Sequence, residues 1–134
     1  MDQRRTVLLA DASEEFRSLL REEIEKTGEF SVDIAQDGNE VLKKVEERTP
    51  DLLVMDAMLA GLDGISVLRQ LQKQENGPMT ILTSGFVSGR MLMEASELGV
   101  AYFLPKPFET ENLLDKMRGL FLQTPKETLP SRSE

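Results

Sequence analysis

Four positions in this chain carry side chains suited to moving a phosphoryl group: Asp11, Asp56, Ser84 and Lys106. Each closes or closely follows a short apolar run, at Val7–Ala10, Leu52–Met55, Met79–Thr83 and Ala101–Leu104. Phosphoryl transfer is mostly a matter of positioning and of neutralising oxygen charge, and a hard cation, a lysine and a hydroxyl do both. An aspartate can itself accept the group as an acyl phosphate. Taken singly, each residue also has an ordinary role: Asp56 as a solvated strand end, Lys106 as a surface lysine, Ser84 as a helix-entry residue. Their joint placement gives the set its meaning.

Composition narrows the choice. The 134 residues include no histidine and no cysteine, so Ser-His-Asp and Cys-His nucleophile systems, histidine or thiolate metal sites and disulfides all drop out. Acidic residues outnumber basic ones by 24 to 16, and a net charge of −8 opposes nonspecific attraction to nucleic acid or an anionic membrane. No apolar run approaches the ~20 residues of a transmembrane helix, and the Val7–Ala10 stretch is too short for a signal peptide. These features predict a cytoplasmic protein with no direct nucleic-acid or membrane partner.

The elements that must position the four residues follow from patterning. Thr6–Ala10 reads as a buried strand that stops at Asp11-Ala12-Ser13, and Ser13 is a candidate N-cap with Glu14 and Glu15 in the first helical turn. The spacing of Phe16, Leu19, Leu20 and Ile24 predicts the apolar face of that helix, with Arg17, Arg21, Glu22 and Glu25 on the polar face and Gly28 ending it. Phe30–Ala35 alternates as a sheet-edge strand, and Asp37-Gly38-Asn39 opens a helix carrying Val41, Leu42 and Val45. Leu52–Met55 runs into Asp56 as a strand buried on both faces, bounded by Pro50 and the Gly61/Gly64 loop.

A helix from about Gly64 places Ile65, Leu68 and Leu71 inward and closes at Asn76-Gly77-Pro78. After the Met79–Thr83 strand come a weakly periodic helix between Ser88 and Leu98, a fifth strand at Ala101–Leu104, and a last helix striped by Leu113, Leu114, Met117, Leu120 and Phe121. Strict β-α alternation predicts an α/β fold: a five-stranded parallel sheet, doubly wound as (βα)5, which binds ligands beyond the carboxyl ends of its strands. Residues 1–122 form that domain. The stretch 123–134, with two prolines and mostly polar residues, is expected to be a disordered tail or linker.

At this point the sequence resembles a known family, the receiver domains of two-component response regulators. The resemblance covers about residues 4 to 122 and rests on LLADASEEFRSLL, DLLVMDAMLAGLDG, LTSGF and ELGVAYFLPKPF. It implies a chemotaxis-regulator-like, flavodoxin-like sheet in the order 2-1-3-4-5, acting as a signalling domain and not as an enzyme. It also implies Asp56 as the phosphoacceptor, served by a histidine kinase or a phosphotransfer protein, with Ser84 and Lys106 contacting phosphoryl oxygens. Magnesium would be held by Asp11, Asp56 and the backbone carbonyl of Met58. Ser84 and Phe103 would be the switch pair, Lys106-Pro107 a cis peptide, and the face from helix four to helix five a surface for output or homodimerisation. The wording of the motifs is most similar to the receivers of sporulation-type transcription regulators.

Departures from the family pattern bear on the metal. Receivers carry two adjacent acids after the first strand, whereas this chain has Asp11 followed by Ala12. Phe16 and Arg17 stand four and five residues beyond Ala12, the offsets the family shows from its second acid, so Ala12 replaces the acid that ligates magnesium directly. The other register, with Asp11 as the second acid, needs an extra residue before the helix. Ala60 stands where proline is common, and Pro105 precedes the lysine, which suits an edge strand. Weakened magnesium binding follows, and so does an alternative function as a pseudo-receiver that binds partners without phosphorylation. A flavin-binding electron carrier on a related sheet is a third reading, disfavoured because no phosphate-cradling run of Ser, Thr and Gly follows the first strand.

Overall fold

A computed structural model gives the protein's structure and describes residues 3–74 and 77–122. Strands and helices alternate: β1 (Arg5–Ala10), α1 (Glu14–Glu25), β2 (Phe30–Ala35), α2 (Gly38–Glu47), β3 (Leu52–Asp56), α3 (Gly64–Leu71), β4 (Met79–Ser84), α4 (Gly89–Glu97), β5 (Tyr102–Pro105) and α5 (Thr110–Leu122). All strand pairs are parallel, in the order β2-β1-β3-β4-β5. The chain first builds outward from β1 to β2, then returns past β1 to β3. That reversal opens a crevice beyond the carboxyl ends of β1 and β3.

Strand side chains alternate between two apolar layers because successive residues face opposite sides of the sheet. Val7, Leu9, Leu52 and Val54 join Leu20 and Ile24 of α1 and Leu113 and Met117 of α5 in one layer. Leu8, Leu53 and Met55 join Val41 and Val45 of α2, Val67 and Leu68 of α3 and Ala95 of α4 in the other. Every residue of β3 is buried, as its uninterrupted apolar run predicts. Four helices begin on side-chain caps, Ser13, Asp37, Asp63 and Ser88, each accepting from a main-chain N–H of the first turn.

Two glycines permit close approaches near the crevice. A Cβ on Gly64 would lie 2.8 Å from both Ala57 Cα and the Asp56 carbonyl oxygen. One on Gly38 would come within 1.9 Å of the Leu62 carbonyl oxygen. The loop between β3 and α3 is thus pressed against both the end of β3 and the start of α2, where Asp37 also makes a parallel bridge to Ala60.

Two helix faces differ from the sequence expectation. Leu19, assigned to the buried face of α1, is 57% exposed, while Arg17, assigned to the polar face, is 7% exposed. At 3.6 residues per turn Arg17 lies about 60° from Leu20 around the helix and Leu19 about 100°, so the core arc centred on Leu20 and Ile24 takes in Arg17. The guanidinium is tolerated there because it donates to the carbonyl of Asp11 at 2.7 Å. In α3, Ile65 is only half-buried and Val67 takes the fully buried position beside Leu68. Asn76 of the expected Asn76-Gly77-Pro78 turn and the stretch 123–134 lie outside the described residues.

Candidate functional site

The parallel register brings the ends of β1, β3, β4 and β5 to one edge of the sheet. Asp56 closes β3 opposite Thr83, and Ser84 closes β4 opposite Pro105, immediately before Lys106. The chain is held past the strand ends by main-chain bonds from Ala57 N–H to Thr83 and from Lys106 N–H to Ser84, each 2.8 Å. Pro105 contributes no N–H, which costs nothing on the outer side of β5, the sheet edge.

Lys106 joins the two acids. Its Nζ donates to Asp11 Oδ2 at 2.6 Å and to Asp56 Oδ2 at 2.8 Å. The ammonium also lies 4.3 Å from the centre of the Phe16 ring, and Phe16 meets Phe108 edge-to-face at 6.0 Å. The Lys106–Pro107 peptide is cis. Burial of the ammonium is the largest single influence on Lys106 and favours its neutral form. The hydrogen bonds and charges of Asp11 and Asp56 together outweigh it and hold the pKa above that of an ordinary lysine.

Both carboxylates are nearly buried and each has a second anchor. Asp11 Oδ1 accepts from Ser13 N–H at 2.9 Å, and the Asp11 N–H donates to Ala35 across the sheet. Asp56 Oδ1 accepts from Met58 N–H at 2.9 Å, so the main chain two residues on is folded back over the acid. Ser84 is fully buried and its hydroxyl is engaged locally, donating to the Phe86 carbonyl at 2.6 Å and accepting from Phe86 N–H at 3.0 Å. Phe103 is half-buried against the layer shared with α4. Asp11, Asp56 and Lys106 therefore meet directly, whereas Ser84 and Phe103 stand in a second group around the start of the β4–α4 loop.

The donors present fit a sparsely ligated hard cation. Among the described residues no group of three or more acidic, histidine or cysteine side chains converges. Magnesium commonly uses one or two carboxylates plus waters and phosphate oxygens, and Asp11 and Asp56 are the carboxylates here that could hold it, with the Met58 carbonyl a candidate third donor. Ala12 is exposed and lines a groove with Ala57, Met58, Leu59 and Met91 at the mouth of the site. Sequence reasoning missed Phe16 and Arg17 as parts of the site. The signal available was their position about one turn beyond Asp11, at the start of α1.

A family model for the response regulator receiver domain matches residues 7–118. The chain belongs to that family. Among curated relatives, the response regulator MprA of Mycolicibacterium vanbaalenii is 38% identical over 120 residues, covering 88% of this chain and 51% of the relative. MprA of Mycobacterium avium is 37% identical over 123 residues, covering 90% and 53%. This receiver spans about half the length of the curated relatives it matches. Among solved structures, the receiver domain of Francisella response regulator 1452 is similar at a TM-score of 0.83 and 30% identity, covering 90% of this chain and 99% of that one. A CheY-like receiver from Methanospirillum hungatei reaches a TM-score of 0.85 at 22% identity, covering 90% and 96%, a likeness of fold. The flavin-carrier reading falls with this assignment. No helix among the described residues is long and apolar enough to cross a membrane.

Proposed function

We propose that this receiver accepts a phosphoryl group on Asp56 from the phosphohistidine of a histidine kinase or phosphotransfer protein, and so switches the surface formed by α4, β5 and α5. The observation that carries the reading is the single ammonium, Lys106 Nζ, bonded to both Asp11 and Asp56 at the crevice where the sheet reverses order. A carboxylate oxygen of Asp56 attacks phosphorus and the P–N bond breaks. Its electron pair returns to the imidazole nitrogen of the donor, leaving an acyl phosphate on Asp56.

Lys106 turns from the carboxylate to the new phosphoryl oxygens, which carry more charge. Ser84 exchanges its bond to the Phe86 carbonyl for one to a phosphoryl oxygen, and Phe103 follows it inward. The altered face then binds its target or a second copy of the receiver. Asp11, Asp56 and the Met58 carbonyl would hold magnesium, which when bound neutralises phosphoryl oxygen charge.

Incubation with acetyl phosphate and excess magnesium, followed by intact mass measurement, tests this. A phosphoryl adduct is expected on the wild type and none on Asp56→Asn; an unmodified wild type, or an adduct that survives the substitution, would sink it. Losing the Ala12-position acid removes an attraction to a divalent ion of about 8 kcal/mol at 4 Å and an effective dielectric of 20, before desolvation is subtracted. Ala12→Asp is accordingly expected to lower the magnesium concentration for half-saturation by at least about tenfold, equivalent to ~1.4 kcal/mol.

Ala12 and the apolar groove it lines favour a second reading, an interaction module that works without phosphorylation. That reading requires partner binding to be unaffected by Asp56→Ala.

A further inference from the structure

Arg17 is 7% exposed, and burying a guanidinium costs several kcal/mol unless its donors are used. Its use here is specific. One donor, Nη1, is 2.7 Å from the main-chain carbonyl of Asp11, while Nε has no hydrogen-bond partner among the described residues. The Asp11 carbonyl belongs to the residue where β1 ends, and that same residue's carboxylate holds Lys106 and the Ser13 N–H.

With the N–H of Asp11 tied to Ala35, the Arg17 contact fixes the one remaining polar group of the residue. A chain with a second acid at position 12 would have another carboxylate at this edge. Here Asp11 is alone beside Ala12, so its placement alone decides what β1 contributes.

We propose that Arg17 is a positioning residue for phosphoryl transfer to Asp56, acting through Asp11. The proposal rests on the phosphoacceptor reading above and goes beyond it by assigning a role to a side chain that touches neither the phosphoryl group nor Asp56. Removing it frees the Asp11 carbonyl, lets the end of β1 shift and loosens the carboxylate from Lys106 and from the cation.

The test compares wild type, Arg17→Met and Arg17→Lys in the whole chain. Three quantities are read: magnesium half-saturation in acetyl phosphate labelling, the maximal labelling rate, and hydrogen exchange at the Ser13 amide. Removing a partner bonded directly to a ligating side chain typically weakens metal binding about ten- to a hundredfold; Arg17 acts one step further out, on the main chain of Asp11, so Arg17→Met should raise the half-saturating magnesium concentration by up to about tenfold. Ser13 should lose protection, and Arg17→Lys, which keeps a donor and the charge, should fall between the two. A folded Arg17→Met protein with wild-type half-saturation, and with Ser13 protection lowered no more than that of the α1 amides, would overturn the proposal, because a merely stabilising arginine would leave half-saturation unchanged and lower protection generally.

Should Arg17→Met not fold, Arg17→Lys alone decides: an intermediate shift supports the role and an unchanged half-saturation refutes it. A wild type that takes no phosphoryl group defeats the phosphoacceptor reading instead. Ser13 exchange in Arg17→Lys, read relative to the α1 amides, still judges Arg17 in that case, a selective loss of protection at Ser13 supporting the role and no selective loss refuting it.

Discussion

Helix α4 is packed to a different standard from α1 and α5. On one side of the sheet α1 and α5 are tied to the strands and to each other: Phe16 meets Phe108, Thr110 donates to Glu23, and Arg118 makes a forked pair with Glu29 just ahead of β2. On the other side α4 buries only Ala95, and it and the loop before it leave Phe86, Val87, Leu92 and Met93 exposed. Helices α2 and α3 pack on that same side with fully buried Val41, Val45 and Val67, so the weak packing is local to α4, the helix that follows Ser84 and shares a layer with Phe103. Moving elements are drawn from the weakly packed parts of a structure, so α4 is the helix that the proposed switch would move.

The sharpest way to break the contrast is to hollow the core beneath α5. Leu113 of α5 is fully buried, and Leu113→Ala is expected to cost about 2–5 kcal/mol in urea unfolding. A cost under 1 kcal/mol would show that α5 is less firmly packed than its burial implies. A smaller effect is expected at the site's edge. Gly64→Ala forces a Cβ against the backbone at the Asp56–Ala57 step and should destabilise by about 1–3 kcal/mol while slowing acetyl phosphate labelling, whereas unchanged labelling would mean the loop absorbs the intrusion away from Asp56.

Acid titration sharpens the comparison further. The Glu29 carboxyl is held below its usual value chiefly by its hydrogen bonds to Arg118. A carboxylate with a lowered folded-state pKa contributes stability that is complete above about pH 4.5 and is lost as pH falls through the lowered value. Arg118→Ala should therefore be less stable than wild type at neutral pH, with the difference closing in acid; a gap that persists at low pH would point to packing by the arginine stem. The smallest effect belongs to α4. Met93→Ser removes an exposed side chain and should change stability by no more than about 0.5 kcal/mol, and α4 amides should exchange faster than those of α1.

Lys106 sets the opposite limit of pH. Its folded-state pKa is raised, so the stability it supplies is complete below its ordinary value of 10.5 and is lost as pH rises through the higher folded value. Both windows lie outside the neutral range.

Much of this arrangement was legible in the chain because its signals are local and strong. The apolar run Leu52–Met55, short and bounded by Pro50 and the Gly61/Gly64 loop, reads as a strand covered on both faces, and β-α alternation then limits how the strands can be ordered. Ser13 announces the start of α1 by chemistry that a sequence states outright, and Asp37, Asp63 and Ser88 prove to cap the next three helices in the same way.

What escaped was decided by how the chain folds back on itself, at short range as well as long. Leu19 scores as core by hydropathy and Arg17 as surface, yet the carbonyl left open at the end of β1 draws the arginine in, and only the fold places that carbonyl above α1. The Lys106 bridge spans 95 residues to Asp11 and 50 to Asp56. Each residue's type was readable, but the sharing of one ammonium by two acids is a tertiary fact. Likewise, the turn of the Ser84 hydroxyl toward Phe86 depends on how the β4–α4 loop folds back.

The contact between Gly38 and Leu62 carries a consequence for anyone mapping mutational tolerance across this domain. Gly38 opens α2, eighteen positions before Asp56 in the chain, and its missing side chain is what lets the loop after β3 lie where it does. A saturation library scored on phosphoryl uptake should show a narrow column at position 38, as intolerant as positions that touch the acceptor. Ranking by distance from the reacting carboxylate would misfile it.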